Sequence, residues 1–409
     1  MNTSLRHPFR ISPRRFSRWV VGGLLGLGGL LGALPACTTK KDNGTSQDIR
    51  RELLQGLGEQ IFVSRYAELV ESVDELVTAS RALCTEPSEE ALQAAQAAWW
   101  ASRAPLKRNE LLSFGPWVDE PLRLGPLIDF WPSRPDAIEA LLAGSDELST
   151  AALAARGSSE RGSPVIEYLL YRLPEAGADV VEGAGGAGGA GGAANGGGGE
   201  MSPEEAFAPE GRRCLYLIAA AEDLAAQTLR LHDAWDPKGD DFLSELSQAG
   251  RDKKFETIDL AMSEVVSRLA FTIENVRGAK LGVPVGKLAT AQPDSMESRF
   301  SGRSLEDIRD NLRGVEEVIF GADVDDAQSL AKYLEYIGEE ALVPSLRTAF
   351  DDSYAGLDTI GDPLREHVED DRDDVLAAID TLAVLQRLIQ VDMIHAMNLQ
   401  LTFNDVDGD

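Results

Sequence analysis

Histidine is scarce in this chain, and its scarcity closes off one kind of chemistry at once. Four histidines are spread over 409 residues. A zinc peptidase needs two histidines and an acid at helical spacing, as in His-Glu-x-x-His. His232, His367 and His395 stand apart, and no His-x-x-Glu or His-Glu-x-x-His occurs among them. Positive charge is also short: 39 basic residues face 68 acidic ones, a net charge of −29. That balance argues against nucleic acid and anionic lipid surfaces as partners. No phosphate loop, dinucleotide fingerprint or Gly-x-Ser-x-Gly appears in a usable context. Strand-like alternation is rare, and the one long apolar run, residues 19–34, is shorter than the ~20 residues of a spanning helix.

What is present begins with an export signal. Residues 1–18 carry Arg6, Arg10, Arg14, Arg15 and Arg18 and no acid. The apolar run follows, then Leu34-Pro35-Ala36-Cys37. A charged region, an apolar region and a small residue before the cut are what secretion needs. The Cys after the cut resembles the lipobox of bacterial lipoproteins, in which the thiol takes a diacylglycerol. Residues 1–36 therefore read as a signal peptide, Cys37 as the lipidation site and 37–45 as a polar tether; the alternative is an uncleaved signal anchor. The expected location is the cell envelope, lipid-anchored. Thr38 after the lipidated Cys favours the outer membrane, on its periplasmic side, in a Gram-negative cell. Loss of five arginines with the signal leaves the mature chain more negative still. The membrane is expected as a partner only through the anchor.

With Cys37 acylated, Cys84 and Cys214 remain. Outside the cytosol two spare thiols tend to pair. A Cys84–Cys214 disulfide is expected, the alternative being two buried free thiols.

The mature chain reads as mostly helical. From Phe255 to Val276 the apolar positions recur at three and four, which lines them on one face as in a bundle. A second helix is expected from Ser304 as its cap, ending at Gly321. A third opens with Ser202-Pro203-Glu204-Glu205, a capping-box spacing with Pro at the first position, and is expected to run past Cys214 to Leu231. Others are expected at 47–83, 88–103 and 364–398. Residues 183–199 are almost all Gly and Ala and read as a flexible loop. They separate an N-terminal half, 46–182, from a C-terminal half, 200–409. Residues 104–135 are dense in Pro and Gly and read as irregular. Trp117 and Trp131 there are either core anchors or cleft lining. His232 reads as the end of a helix, His367 as part of a solvated acidic face, and His395 as a core or interface residue.

Two stretches resemble the imelysin family. In the first half, Trp100 with Arg103, then Glu110, Phe114-Gly115-Pro116 and Trp131-Pro132 follow its pattern. In the second, Lys280-Leu281-Gly282-Val283-Pro284-Val285-Gly286 precedes Glu297-Ser298-Arg299-Phe300-Ser301, then Ser304, Asp307 and Asn311-Leu312. The terminal segment 403–409 is also similar. The resemblance implies an all-α fold of two related helical-bundle halves packed together. It implies an exported protein, often a lipoprotein, tied to iron. The family is catalogued among metallopeptidases.

One departure carries weight. The family motif Gly-x-His-x-x-Glu reads here Gly162-Ser163-Pro164-Val165-Ile166-Glu167. Proline offers no donor atom to a metal. Ser163 as cap and Pro164 at the first helical position instead make an ordinary helix start. Glu167 is then either a first-turn acid near the positive helix end or a residual metal ligand. Arg103, Glu110, Glu297, Ser298 and Ser301 are the candidate ligand cleft, and no catalytic residue is assigned. The reading is a non-enzymatic envelope binding protein associated with iron or another divalent metal. The alternatives are a scaffold for an envelope protein partner that has lost the metal site, and a metallopeptidase.

Overall fold

The computed structural model describes residues 43–175, 200–370 and 372–401. The expected signal segment 1–36, the expected lipidation site Cys37, the start of the expected tether, the Gly/Ala stretch 183–199 and the tail 403–409 lie outside these. Among the described residues there are helices and connecting turns, and no helix is long and apolar enough to cross a membrane. The sole pairing of strand type among them is an isolated antiparallel bridge of Glu175 with Glu200.

Nine of the helices among the described residues carry the architecture. Helix α1 (Asn43–Leu57) passes through a π turn (Gly58–Val63) into α2 (Ser64–Thr85). Ser88 caps α3 (Glu89–Arg108), its hydroxyl accepting from the Ala91 amide at 3.2 Å. Helix α4 is Ser163–Tyr171, α5 Arg212–Trp235 and α6 Ile258–Asn275. Helix α7 is Ser304–Phe320, α8 Leu342–Asp358 and α9 Arg372–Arg387. Helices α2, α3, α4 and α5 pack into one group, and α6, α7, α8 and α9 into another. Helix α3 crosses α7 and joins the two groups. That crossing is close because Gly314 has no side chain: a Cβ there would lie 2.1 Å from the Arg108 carbonyl oxygen. One continuous apolar core runs through both groups, with Trp99 and Trp235 fully buried. The Trp235 ring sits among Phe62, Phe114 and Phe242 at centroid distances of 4.9–6.0 Å. Cys84 at the end of α2 is bonded to Cys214 at the start of α5.

Several expected boundaries move. The capping box of Ser202 with Glu205 is present, but its helix stops at Ala206 and α5 begins afresh at Arg212. Pro209 lacks an amide hydrogen and biases Ala208 out of the helical region, and Glu210 stands at φ 63°. The helix expected from Phe255 starts at Ile258, because the Thr257 hydroxyl accepts from the Leu260 amide; Phe255 packs ahead of it on Phe114. Ser304 is the first residue of α7 rather than its cap, and its hydroxyl donates to the Glu297 carbonyl at 2.5 Å. Gly321 ends α7 at φ 100°. His395 is exposed, which removes the core half of its core-or-interface expectation. Helix α3 continues past the expected end at 103, through Pro105, to Arg108. A proline there costs one backbone hydrogen bond, and burial of Leu106 and Lys107 holds the extra turn.

Candidate functional site

The extra turn of α3 builds the site. Arg103 and Lys107 are four residues apart and so share one helix face. Both side chains are about 1% exposed. After α3, a short turn carries Glu110, and the helical turn Gly125–Ile128 is followed by Asp129. From the second group, the π turn Val276–Gly282 carries Lys280. The loop 297–303 carries Glu297, and α7 presents Asp307 and Asn311 four apart on one face.

These side chains meet in one ionic network at the crossing of α3 and α7. Arg103 donates to Asp129, Glu297 and Asp307, each at 2.7 Å. Lys107 Nζ contacts Glu110 at 2.9 Å and also touches Asp129 and Glu297. Lys280 Nζ donates at 2.7 Å to Glu110 and to Asn311 Oδ1, and pairs with Glu297 at 2.7 Å. Asn311 Nδ2 donates to the Lys107 carbonyl at 2.9 Å. Arg303 pairs with Asp307 and with Asp310, and lies over the Trp100 ring.

The network fixes its own charge states. Burial opposes the charged forms of Arg103, Lys107, Glu110 and Glu297, and their neighbours outweigh it. Lys107 and Lys280 pull Glu110 down to about 2 against the effect of burial. The same lysines with Arg103 hold Glu297 well below the usual carboxylate range. Asp129 chief among its partners, the surrounding acids hold Arg103 and Lys107 above their ordinary values despite burial.

Beside the network opens a cavity of about 170 Å³. Glu110, Asp129 and Lys107 form its polar end, with Asn275 donating to Glu110 Oε1 at 3.1 Å. Trp117, Trp131 and Phe271 wall it. Both tryptophans of the Pro/Gly-rich segment thus line a cleft and are only half-buried.

Glu167 lies on the other side of Arg103. It is buried, and its Oε1 accepts from the Phe300 amide, the Ser301 amide and the Ser301 hydroxyl, each at 2.9 Å. Burial pushes its carboxyl up to about 7, with the Ser301 and Phe300 hydrogen bonds offsetting only part. The cap of α4 falls one residue earlier than expected, at Gly162 with φ 82°. The Ser163 hydroxyl is used elsewhere: it accepts from Trp99 Nε1 at 3.1 Å and from Arg103 at 3.3 Å. Ser298 stands at φ 49° and its hydroxyl donates to Asp307. So Arg103, Glu110 and Glu297 converge in the network, and Ser298 and Ser301 close the loop on its far side. Glu110 alone of the five lines the cavity. Lys107 and Asp129 were not singled out from sequence, although Lys107 stands one turn from Arg103 and three residues before Glu110.

The sequence pattern of the Imelysin family matches residues 62–389. This chain belongs to the imelysin family. Among imelysin relatives, Iron-regulated protein A of Synechococcus elongatus is 25% identical over 300 residues, covering 73% of this chain and 70% of that one. An imelysin-like protein from Psychrobacter arcticum 273-4 superposes with a TM-score of 0.69 at 17% identity, over 88% of this chain and 98% of its own. A protein of Parabacteroides distasonis ATCC 8503 superposes with a TM-score of 0.67 at 18% identity, over 85% and 95%. The all-α imelysin fold is shared with both.

The family motif implies a metal, and the residues present test the fit. Glu110, Asp129 and Glu297 bring carboxylate oxygens within 4.8 Å of one another. The Lys107 ammonium touches all three and so stands where an ion would sit. At the motif itself Pro164 has no donor atom, and three donors already engage Glu167 Oε1. Neither place fits a metal ion as these side chains are arranged.

Proposed function

We propose that this imelysin is a lipid-anchored protein of the cell envelope that works by binding rather than by chemistry. The observation that carries the reading is the Lys107 ammonium at the meeting point of Glu110, Asp129 and Glu297. An internal cation takes the place of an ion, and the charged groups are spent on one another. A cavity with aromatic walls remains open beside them. The name of the Synechococcus relative, Iron-regulated protein A, supports a place in the iron response. Within that response the protein recognises an organic ligand or an envelope partner, not a bare ion at this cluster. The Cys37 lipobox supports export and anchoring.

Calorimetric titration of the mature chain with ferrous, ferric and zinc ions tests the reading. No stoichiometric binding at micromolar concentration is expected. Binding that disappears in Glu110→Gln or Glu167→Gln overturns it, and so does chelator-sensitive cleavage of a peptide library. Fractionation of cells producing Cys37→Ser tests the anchor: the variant is expected in the soluble envelope fraction, and membrane retention overturns the lipidation.

A further inference from the structure

We propose that the cavity beside the network binds a small organic cation, a protonated amine or quaternary ammonium group carrying a short apolar body. This rests on the reading of the protein as a binding protein and names the ligand class.

Donor accounting comes first. Lys107 has three N–H donors and three acid partners, Glu110, Asp129 and Glu297. Lys280 donates to Glu110 and Asn311 and forms an ion pair with Glu297. Arg103 spreads its fork over Asp129, Glu297, Asp307 and Ser163. Lys107, the cation among the residues that line the cavity, therefore already faces three carboxylates.

Acceptors are in surplus. A carboxylate has about four lone-pair sites. Glu110 Oε2 takes Lys107, Lys280 and Asn311, but Oε1 takes Asn275 alone. Glu110 keeps 17% of its side chain accessible, against 4% for Asp129 and 3% for Glu297. It is therefore the acid of this trio that a visitor in the cavity reaches. Its neighbours keep it ionised at any physiological pH, so the negative end of the cavity is permanent.

The walls agree with this charge. Trp117, Trp131 and Phe271 present aromatic surface, and ring faces attract cations electrostatically. Trp131 is already used this way from the protein side, with Lys280 Nζ 5.8 Å from its ring centroid. The volume, about 170 Å³, suits a benzene-sized body, since a cavity of roughly 150 Å³ accepts benzene. An anion would meet the negative charges of Glu110 and Asp129, and a neutral body would leave the spare lone pair of Glu110 Oε1 unused.

Benzylammonium and tetramethylammonium are the probes, with benzoate and benzyl alcohol as the charge controls. Tryptophan fluorescence and calorimetry on the mature chain are the readouts. The ammonium probes are expected to bind with one site and to quench, while the controls bind about ten-fold more weakly or not at all. Trp131→Leu is expected to weaken the ammonium probes about ten-fold, and Glu110→Gln by at least as much. Circular dichroism identifies a variant that has not folded, and Trp131→Leu serves as the deciding variant if Glu110→Gln fails. Leu288→Ser, in an exposed loop, is expected to leave binding unchanged. Preferred binding of benzoate or benzyl alcohol, sensitive to Trp131→Leu, overturns the cation assignment and leaves the binding function standing. Ammonium binding indifferent to Trp131→Leu and Glu110→Gln overturns the site. Absence of binding by every probe overturns the cavity as a ligand site, while the metal and peptidase assays above decide the wider reading separately.

Discussion

Glu167 on α4 accepts the Ser301 amide at 2.9 Å, across 134 positions of chain. It is a clasp between the first helix group and the loop that leads into α7. The residue that should complete a metal motif instead holds a loop in place.

The clasp gives a signed pH dependence. Burial pushes Glu167 up to about 7 from its ordinary value of 4.5. A group whose folded pKa is raised binds its proton more tightly when folded. Its contribution is therefore largest below the unfolded value and is lost as pH rises through about 7. Glutamine keeps an oxygen for the same three donors and has no charge to bury. Glu167→Gln is expected to gain about 2–3 kcal/mol on wild type between about pH 5 and about pH 8. Urea unfolding of both proteins at the two pH values measures it, and parallel curves would count against the clasp. Glu110 and Glu297 act in the opposite sense, since their lowered values make stability fall as pH drops below about 4.5, for Glu110 down to about 2.

Removing Arg103 is expected to be severe. Arg103→Met leaves Asp129, Glu297 and Asp307 without the guanidinium that joins them. Breaking one partner from a buried ion set costs about 3–5 kcal/mol. Denaturant titration reads the loss. A cost under about 1 kcal/mol would show that the acids are hydrated or protonated in the variant.

Gly162→Ala tests the entry into α4. The residue stands at φ 82°, and a Cβ would lie 2.6 Å from the Ile128 carbonyl oxygen. The expected cost is about 1–3 kcal/mol from the backbone alone, and the collision adds to it. The same carbonyl immediately precedes Asp129, so Arg103 pairing is expected to loosen as well. Thermal melting gives the first effect.

The Cys84–Cys214 bond closes 130 residues of chain. Changing both to Ser is expected to cost about 2–5 kcal/mol, since the bond limits the unfolded ensemble. Free-thiol titration of the denatured protein should find neither sulfur in the wild type. Unchanged stability of the double variant would mean that the bond adds nothing to the fold.

Much of this was legible in the order of residues. Helical periodicity is local, so the apolar stripe of α6 and the stop at Gly321 were readable before any tertiary contact. Capping chemistry is local too, and Ser202 with Glu205 closes its box as expected. The break after Ala206 was missed because the Pro209 signal was outweighed by the long Ala- and Leu-rich run beyond it. The missed last turn of α3 has another cause. Proline disfavours helix interiors in isolation, and only burial of Leu106 and Lys107 against the rest of the molecule overrides it.

The sequence by itself determined the helical class, the spare pair of thiols and the loss of a metal donor at Pro164. Each follows from residue type and short spacing. Tertiary structure alone decided what replaces the lost donor. Whether Lys107 is a surface charge or an internal counter-ion depends on Glu110, Asp129 and Glu297 arriving from three different segments. Whether Glu167 binds an ion or a loop depends on Ser301 arriving from the other end of the chain. Long-range electrostatics of this kind has no signature in local order, because the partners are brought together only when α3 and α7 cross.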